Sequence, residues 1–408
     1  MSERSLRGYL LLPRPGDLVK AWIFPAAFAL GVLAEGGTSA RELLRAAVLW
    51  GALELLIYQA RYQWNDIRGF AADQRHPDRE ARGRLPGPPA RGRTHIRASA
   101  LVALGRLAVV AGLAIVLAPL DLARSLLALV VAVFGVAVLY EALRARVTGG
   151  SSRVPPPLTA GILTLWALVG AGYAIRGLAG LGSALDLLDE PWLGAAALLA
   201  FWSFGIAFVT GRWALEALAF GRLGDRGGIS WRAAAGQARE HSLALIRWLP
   251  KERPTEPCGG DGTLRDWRPL TGKVPLHAPW NLAAVAAASA AALSGRLLAG
   301  PADLAGAALA AAAGGICAAL VLAPRRRRWP ALLLAAPALL ALFAGLGLPR
   351  PGLVLLPWLA VLAAHLFFTA QSPGTLAHPL RPGISEVWAR LGGSRHRRRL
   401  EITPLPRR

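Results

Sequence analysis

Long apolar stretches alternate with short polar segments along most of the chain. About ten of these stretches are near 18 to 25 residues long, and a helix of about 20 apolar residues crosses the hydrocarbon core of a bilayer. The pattern therefore predicts an all-α polytopic bundle of transmembrane helices with nine or ten spans. The predicted spans are residues 20–36, 42–61, 96–118, 122–141, 157–178, 192–213, 280–298, 303–323, 330–348 and 352–370.

The distribution of positive charge predicts how these spans are oriented. Thirty-nine of the 46 lysines and arginines lie in six segments, which alternate with segments that hold almost none. Because cytoplasmic loops concentrate Lys and Arg, we expect these six segments, and both chain termini, to face the cytoplasm across a cell membrane. The six segments are residues 1–20, 61–97, 141–156, 211–279, 324–329 and 371–408.

Composition narrows the class of protein further. The 408 residues are 54% hydrophobic and 17% charged, with a formal net charge of +22. The first 20 residues have no separate apolar region and cleavage site, so we expect no cleaved signal peptide. The basic residues are spread over every predicted cytoplasmic loop without a nucleic-acid-binding motif, which favours anionic lipid headgroups over nucleic acid as their partner.

The longest polar segment divides the chain into four parts. We expect a membrane bundle at 1–220, a cytoplasmic insertion at 221–279, further membrane helices at 280–372 and a basic cytoplasmic tail at 373–408. In the insertion, Leu243, Ile246 and Leu249 are three apart, which indicates a helix that lies in the membrane interface or over a cavity mouth. Four tryptophans suit interfacial anchoring, namely Trp231, Trp248, Trp267 and Trp280.

Polar residues interrupt the pattern after the second span, where residues 62–77 read YQWNDIRGFAADQRHP. On a helix, Asn65, Gly69 and Asp73 form one stripe, and Asp66 lies only about 20° from Asp73. Oxygen donors that converge in this way repel each other unless a cation separates them, and such oxygen sites suit Mg²⁺. We therefore expect Asn65, Asp66 and Asp73 to be the metal ligands of a phosphate site.

Arginines follow this polar stretch at positions 75, 79, 82 and 84. Their guanidinium groups match phosphate oxygens, although most loop arginines and carboxylates are simply solvated or paired with each other. The position at the end of a membrane helix favours a functional site, because polar groups within a membrane are costly.

These residues resemble a known family. NDIRGFAAD followed by RLPG is similar to the first aspartate-rich motif of the UbiA superfamily of intramembrane prenyltransferases, commonly NDxxDxxxD with an RPLPSG-like segment after it. LYEALRAR, residues 139–146, is similar to that family's Tyr-containing segment with basic residues between spans four and five. The resemblance covers roughly residues 15–225.

The resemblance implies a helical bundle whose central cavity binds an isoprenyl diphosphate through Mg²⁺. It implies that Asn65, Asp66 and Asp73 are the metal and diphosphate residues, and that Glu216 represents the second motif among the catalytic residues. The implied substrate-binding residues are Arg68, Arg84, Tyr140, Arg144 and Asp225.

The chain departs from the family pattern at two places. Gly69 stands where the first motif has its central Asp, and the second motif is reduced to Glu216, with Asp225 nine residues later. Glu216 equally suits an ion pair with Arg212 one helical turn earlier. Glu54 or Asp78 could supply the missing carboxylate. Glu54 lies within a span and needs a polar partner, for which Arg45 is one choice.

Three functions are consistent with these residues. The first is transfer of the prenyl group to a lipophilic or aromatic acceptor, and the second is a UbiA-type terpene cyclase that converts the prenyl diphosphate alone. The third is a non-catalytic membrane protein that binds a polyprenyl lipid. Transport is disfavoured, because no symmetric pair of broken spans is apparent.

Overall fold

The computed structural model describes residues 5–76, 83–151, 153–224, 228–231, 240–251, 263–323 and 327–377. This part of the chain is an all-α bundle with one small two-stranded sheet, which confirms the predicted fold class. Nine of its helical segments are long and apolar enough to cross a membrane, and a bent helix pair at the start brings the number to ten.

The first part of the bundle contains the following helices: α1 (Leu6–Leu11), α2 (Ile23–Glu35), α3 (Ala40–Gly51), α4 (Tyr58–Gln74), α5 (Gly92–Val116), α6 (Ala123–Val147), α7 (Ala160–Leu168), α8 (Ala171–Leu181) and α9 (Pro191–Glu216). After α9 come the antiparallel strands β1 (Gly221–Leu223) and β2 (Ile229–Trp231) and the short helix α10 (Glu240–Leu243). The last helices are α11 (Pro279–Leu298), α12 (Leu304–Leu322), α13 (Arg328–Gly345), α14 (Pro351–Thr369) and α15 (Pro373–Ala377).

The span predicted at 157–178 is divided into α7 and α8 by a turn at residues 169–170, and two earlier spans also differ from simple helices. The first, predicted at 20–36, is the 13-residue α2 preceded by a 3₁₀ turn at Pro15–Lys20, with a bend of 47° between them. The second is a 35-residue run in which α3 passes through a π-helical turn at Ala52–Ile57 into α4. From Tyr58 to Gln74, α4 is one continuous helix that carries the polar motif, as predicted.

Glycines allow helices to approach closely at several crossings. At Gly180 in α8, a β-carbon would collide with the backbone carbonyl of Phe24 in α2. At Gly295 in α11, it would collide with the backbone of Val354 in α14. Small residues at such crossings let membrane helices pack backbone to backbone, which fixes α2 against α8 beside the site described below.

We expect Gly180→Ala to destabilise the protein by about 1–3 kcal/mol, because its methyl group would push α2 away from α8. Gly112 in α5 is the matched control, since its β-carbon would meet no atom within 4 Å. The thermal midpoint in detergent should fall for Gly180→Ala and stay constant for Gly112→Ala. Equal midpoints would contradict the close α2–α8 crossing.

The insertion forms a packed cap on the ends of α6, α7 and α9. Leu243, Ile246 and Leu249 are only 1%, 6% and 5% exposed, so the predicted apolar face packs within the protein. Among the described residues, that face is formed by α10 and by a 3₁₀ turn at Ala244–Trp248. Residues 232–239 lie outside the described residues. Trp267 and Trp280 are also buried, so their predicted role as interfacial anchors is wrong.

Two hydrogen bonds tie the cap to the loop between α6 and α7. The buried carboxylate of Glu240 accepts from the backbone N–H of Gly149 at 2.9 Å and of Ser151 at 2.6 Å. The indole N–H of Trp166 in α7 donates to the carbonyl oxygen of His241 at 2.9 Å. The cap is therefore fastened to the same end of the bundle that carries Tyr140 and Arg144.

Candidate functional site

The NDIRGFAAD and RLPG segments of the first motif meet at Asp66. Its side chain is fully buried, and Arg84 donates to its Oδ1 atom at 3.0 Å. Arg14, from the segment between α1 and α2, donates to the same oxygen, and the hydroxyl of Tyr9 donates to Oδ2 at 3.2 Å. Asp66 thus binds together α4, the RLPG segment and the N-terminal segment.

A second carboxylate links α4 to α6. Glu141 accepts from Arg144 at 2.6 Å and lies 3.8 Å from Arg68. In the amide orientation that satisfies both of its ends, Asn65 accepts from Arg14 at 2.6 Å and donates to Glu141 at 2.9 Å. The motif asparagine therefore bridges the Asp66 and Glu141 clusters.

A third cluster joins the N-terminal segment to α9. Asp17 is 7% exposed and pairs with Lys20 at 2.8 Å and with Arg212 at 3.0 Å. Arg212 also pairs with Glu216 at 3.1 Å, which confirms the alternative predicted for Glu216. Glu216, the carboxylate of the second motif, is therefore held in an ion pair with an arginine one helical turn earlier.

These clusters surround a partly open cavity of about 160 Å³. This is close to the volume of an engineered cavity of about 150 Å³ that binds benzene, so a headgroup or a small ring fits inside. Seven cationic side chains line it: Arg14, Lys20, Arg61, Arg84, Arg144, Arg176 and Arg212. Six aliphatic side chains line it as well: Val133, Val136, Leu168, Val169, Ile175 and Val209.

The charges around the cavity do not balance. Two carboxylates line it, Asp17 and Glu216, and three more pair with the lining cations from behind, namely Glu54, Asp66 and Glu141. Among these described residues, seven positive and five negative groups leave an excess of two positive charges. In addition, the described part of the chain offers no acceptor to the Nε atoms of Arg14 and Arg84. The cavity is therefore suited to an anionic group.

The predicted Mg²⁺ ligands Asn65 and Asp66 already have protein partners in this arrangement. Both oxygens of Asp66 are already engaged, and Asn65 is held between Arg14 and Glu141. Within the described ranges, no three His, Cys, Asp or Glu side chains lie close enough together to hold a metal ion. We therefore assign the neutralising role at this end of the cavity to guanidinium groups.

Around Tyr58 and Arg176, the cavity wall contains a buried ion pair. Arg176 of α8 pairs with Glu54 at 2.6 and 3.1 Å, and both side chains are nearly inaccessible. The guanidinium lies over the ring of Tyr58 at 3.4 Å. Arg45, the suggested partner of Glu54, instead donates to Ser125 at 3.0 Å.

The structure brings together most of the predicted site residues. The cavity is lined by Asn65, Arg84, Tyr140, Arg144 and Glu216, with Asp66 directly behind them.

Two predicted residues do not line the cavity, and a third lies outside the described residues. Asp73 is buried on the same face of α4 as Asp66, beside Gly69, but does not line the cavity. Arg68 is half exposed and stacks on Trp64, also away from the cavity lining. Asp225 lies outside the described residues, as do Asp78, Arg79 and Arg82.

Sequence reasoning missed several residues that build the site: Tyr9, Arg14, Asp17, Glu141 and Arg176. The sequence does carry a signal for two of them, since Arg14 and Asp17 are charged residues directly before a span in the segment PRPGD. Arg176 was also visible as a lone charge inside a predicted span, where ionisable residues usually have a partner and a role.

Comparisons with known protein families, with curated proteins and with solved structures find no match for this chain. The grounds for a function are therefore the geometry and charge of the cavity and the motif resemblance of the residues around it.

Proposed function

We propose that this chain is an intramembrane enzyme that binds an isoprenyl diphosphate and transfers its prenyl group to a lipophilic or aromatic acceptor. The observation that carries the proposal is the cavity inside the helical bundle, which combines an excess of positive charge with an aliphatic wall. An amphiphilic anion matches both features. A phosphate monoester alone carries about −1.5 to −2 charges at neutral pH, which is close to the excess of two.

The motif resemblance favours an isoprenyl diphosphate over other anionic lipids. NDIRGFAAD and RLPG are separate in the sequence, yet Asp66 of the first and Arg84 of the second are 3.0 Å apart at the cavity. Tyr140 and Arg144, from the third similar segment, line the same cavity. NDIRGFAAD, RLPG and LYEALRAR, three segments chosen by sequence similarity alone, thus contribute residues to the same cavity wall.

The chemistry requires that negative charge be stabilised as it develops. When the C–O bond to the diphosphate breaks, its electron pair leaves with the diphosphate, and guanidinium groups fixed nearby favour that separation. The acceptor then forms a bond with the prenyl carbon, and the hydrogen that the prenyl group replaces leaves as a proton. Arg14 and Arg84 are held in place by Asp66, which keeps their geometry ready for the anion.

The engagement of Asp66 by arginines also supports another of the three candidate functions, a non-catalytic protein that binds a polyprenyl lipid.

One incubation separates transferase, cyclase and binder. Purified protein is mixed with geranylgeranyl diphosphate and Mg²⁺, with and without a membrane lipid extract as the source of acceptor, and products are analysed by mass spectrometry. Transfer requires the extract, a cyclase releases diphosphate and hydrocarbon without it, and a binder leaves the substrate intact in both.

We expect Arg84→Gln to weaken the binding of geranylgeranyl diphosphate by about tenfold or more, because it removes a charge-assisted contact. The matched control is Arg93→Gln, which removes one positive charge from an exposed position at the start of α5. Binding is measured by competition with a radiolabelled substrate in detergent. If both variants bind as tightly as the wild type, the cavity is not the diphosphate site.

A further inference from the structure

The cavity presents polar groups at two depths. Asn65 belongs to the cationic end, whereas Tyr58 lies seven residues earlier on the same helix, which is about 10 Å further along its axis. Around Tyr58 the wall is completed by residues of α8 and the turn before it. We call this region the deep end, and it consists of Tyr58, Gly172, Tyr173 and Arg176.

Arg176 at the deep end is neutralised by Glu54 at 2.6 and 3.1 Å, and it also donates to the carbonyl oxygen of Gly172 at 3.1 Å. Two other charged groups act on Tyr173, namely Arg212 and Asp17, and they pair with each other at 3.0 Å. Arg61, one helical turn after Tyr58, acts on Tyr58 instead. An anion bound at the Tyr173 hydroxyl would therefore gain little, in contrast to one bound beside Arg14 and Arg84.

One hydrogen-bonding group at the deep end is unused. The hydroxyl of Tyr173 is buried and has no hydrogen-bond partner among the described residues, although the side chain lines the cavity. Its ring is fixed by edge-on contact with Phe204 at 6.0 Å and by packing on Phe208 at 5.5 Å. Tyr58, by comparison, already donates its hydroxyl to Gly172 at 2.7 Å. A buried donor without an acceptor is costly, so a fixed one in a cavity wall indicates a ligand oxygen.

We infer that the deep end binds the acceptor substrate through a neutral oxygen, a hydroxyl or a carbonyl group, which accepts a hydrogen bond from Tyr173. This inference rests on the proposed function and specifies its second substrate. The anionic prenyl diphosphate binds at the cationic end, and the neutral oxygen of the acceptor binds at the Tyr173 hydroxyl, in the α8 wall of the same cavity. The Glu54–Arg176 pair holds α8 against the π-helical turn before α4 and so positions Tyr173 without contributing net charge.

Two fluorescent probes of similar size test the inference: 2-naphthol, which is neutral at pH 7, and 2-naphthoate, which is an anion. Binding of each probe and of geranylgeranyl diphosphate is measured for the full-length protein in detergent. We expect 2-naphthol to bind more tightly than 2-naphthoate when saturating inorganic diphosphate occupies the cationic end. We expect Tyr173→Phe to weaken 2-naphthol binding by about threefold to tenfold, the effect of losing one neutral hydrogen bond, and to leave diphosphate binding unchanged.

Two further variants make the result specific. Arg84→Gln should give the opposite pattern, with weaker diphosphate binding and unchanged 2-naphthol binding. Gly172→Val removes no hydrogen-bonding group, but its side chain would begin 3.6 Å from the Tyr58 hydroxyl and 4.0 Å from Arg176. It should therefore also weaken 2-naphthol binding. The thermal midpoint of each variant verifies that it is folded.

The outcomes separate the two proposals. If geranylgeranyl diphosphate binds but 2-naphthol does not, or if Tyr173→Phe leaves 2-naphthol binding unchanged, the deep end is not an acceptor site and the proposed function stands. Tighter binding of 2-naphthoate than of 2-naphthol in the presence of saturating inorganic diphosphate likewise overturns the assignment of a neutral oxygen. If 2-naphthol binding responds to Tyr173→Phe while the diphosphate does not bind, the proposed function fails first and this inference fails with it.

Discussion

Asp66→Ala should lower the stability of the protein by about 3–5 kcal/mol, because the two arginines would lose the carboxylate that neutralises them. Arg14 and Arg84 are only 12% and 14% exposed, so water would replace little of what Asp66 contributes. The same change should abolish binding of the prenyl diphosphate, since both arginines would lose their fixed positions. The measurements are the thermal midpoint in detergent and the competition binding assay.

Two comparisons test the interpretation of this effect. Asp189→Ala removes a carboxylate from an exposed loop and should leave the midpoint unchanged. Asp66→Asn keeps an oxygen that can accept from Tyr9 and should destabilise less than Asp66→Ala. If Asp66→Ala unfolds at the same temperature as Asp189→Ala, Asp66 is not the link between the arginines that the structure describes.

Breaking the Glu54–Arg176 pair should have a similarly large effect. Either Glu54→Leu or Arg176→Met leaves a single charge that is almost completely buried, at an expected cost of about 3–5 kcal/mol. The double variant removes both charges and keeps apolar side chains in their place, so we expect its stability to be close to that of the wild type. Replacing a buried ion pair by apolar residues is often neutral.

A double-mutant cycle on the thermal midpoint measures this coupling. We expect the stability losses of the two single variants to be strongly non-additive. Each single variant leaves one unpaired buried charge, whereas the double variant leaves none. Additive losses would show that Glu54 and Arg176 contribute to stability separately, and they would remove the reason for treating the deep end as neutral.

The helices were predictable because the length of an apolar stretch is a strong local signal. Sequence reasoning also placed Asp66 and Asp73 on one face of a helix, and the structure buries both. That conclusion needed only the helical period and the continuity of α4. The bend before α2 was missed, since the prediction treated 1–20 as a polar terminus, whereas Pro15–Lys20 forms a 3₁₀ turn.

The charge partners could not be predicted in the same way. Asp66 meets Arg14, and Asp17 meets Arg212 from 195 positions away, because α9 packs beside the N-terminal segment. Such contacts depend on how helices are rotated about their own axes, and the period of a single helix does not contain that information. For the same reason, the apolar spacing of Leu243, Ile246 and Leu249 predicted a helix at the membrane interface or over a cavity mouth, but not the helix ends on which this face packs.

The contact between Asp17 and Arg212 has a consequence for biogenesis. Residues near the start of the chain leave the ribosome first, yet the groups that complete their environment are synthesised only when α9 emerges. Until then, Asp17 can pair with Lys20 and Arg14 but not with Arg212. The binding cavity is therefore completed late during translation, so a nascent chain halted before residue 212 would carry the motif helix without the α9 wall of the cavity.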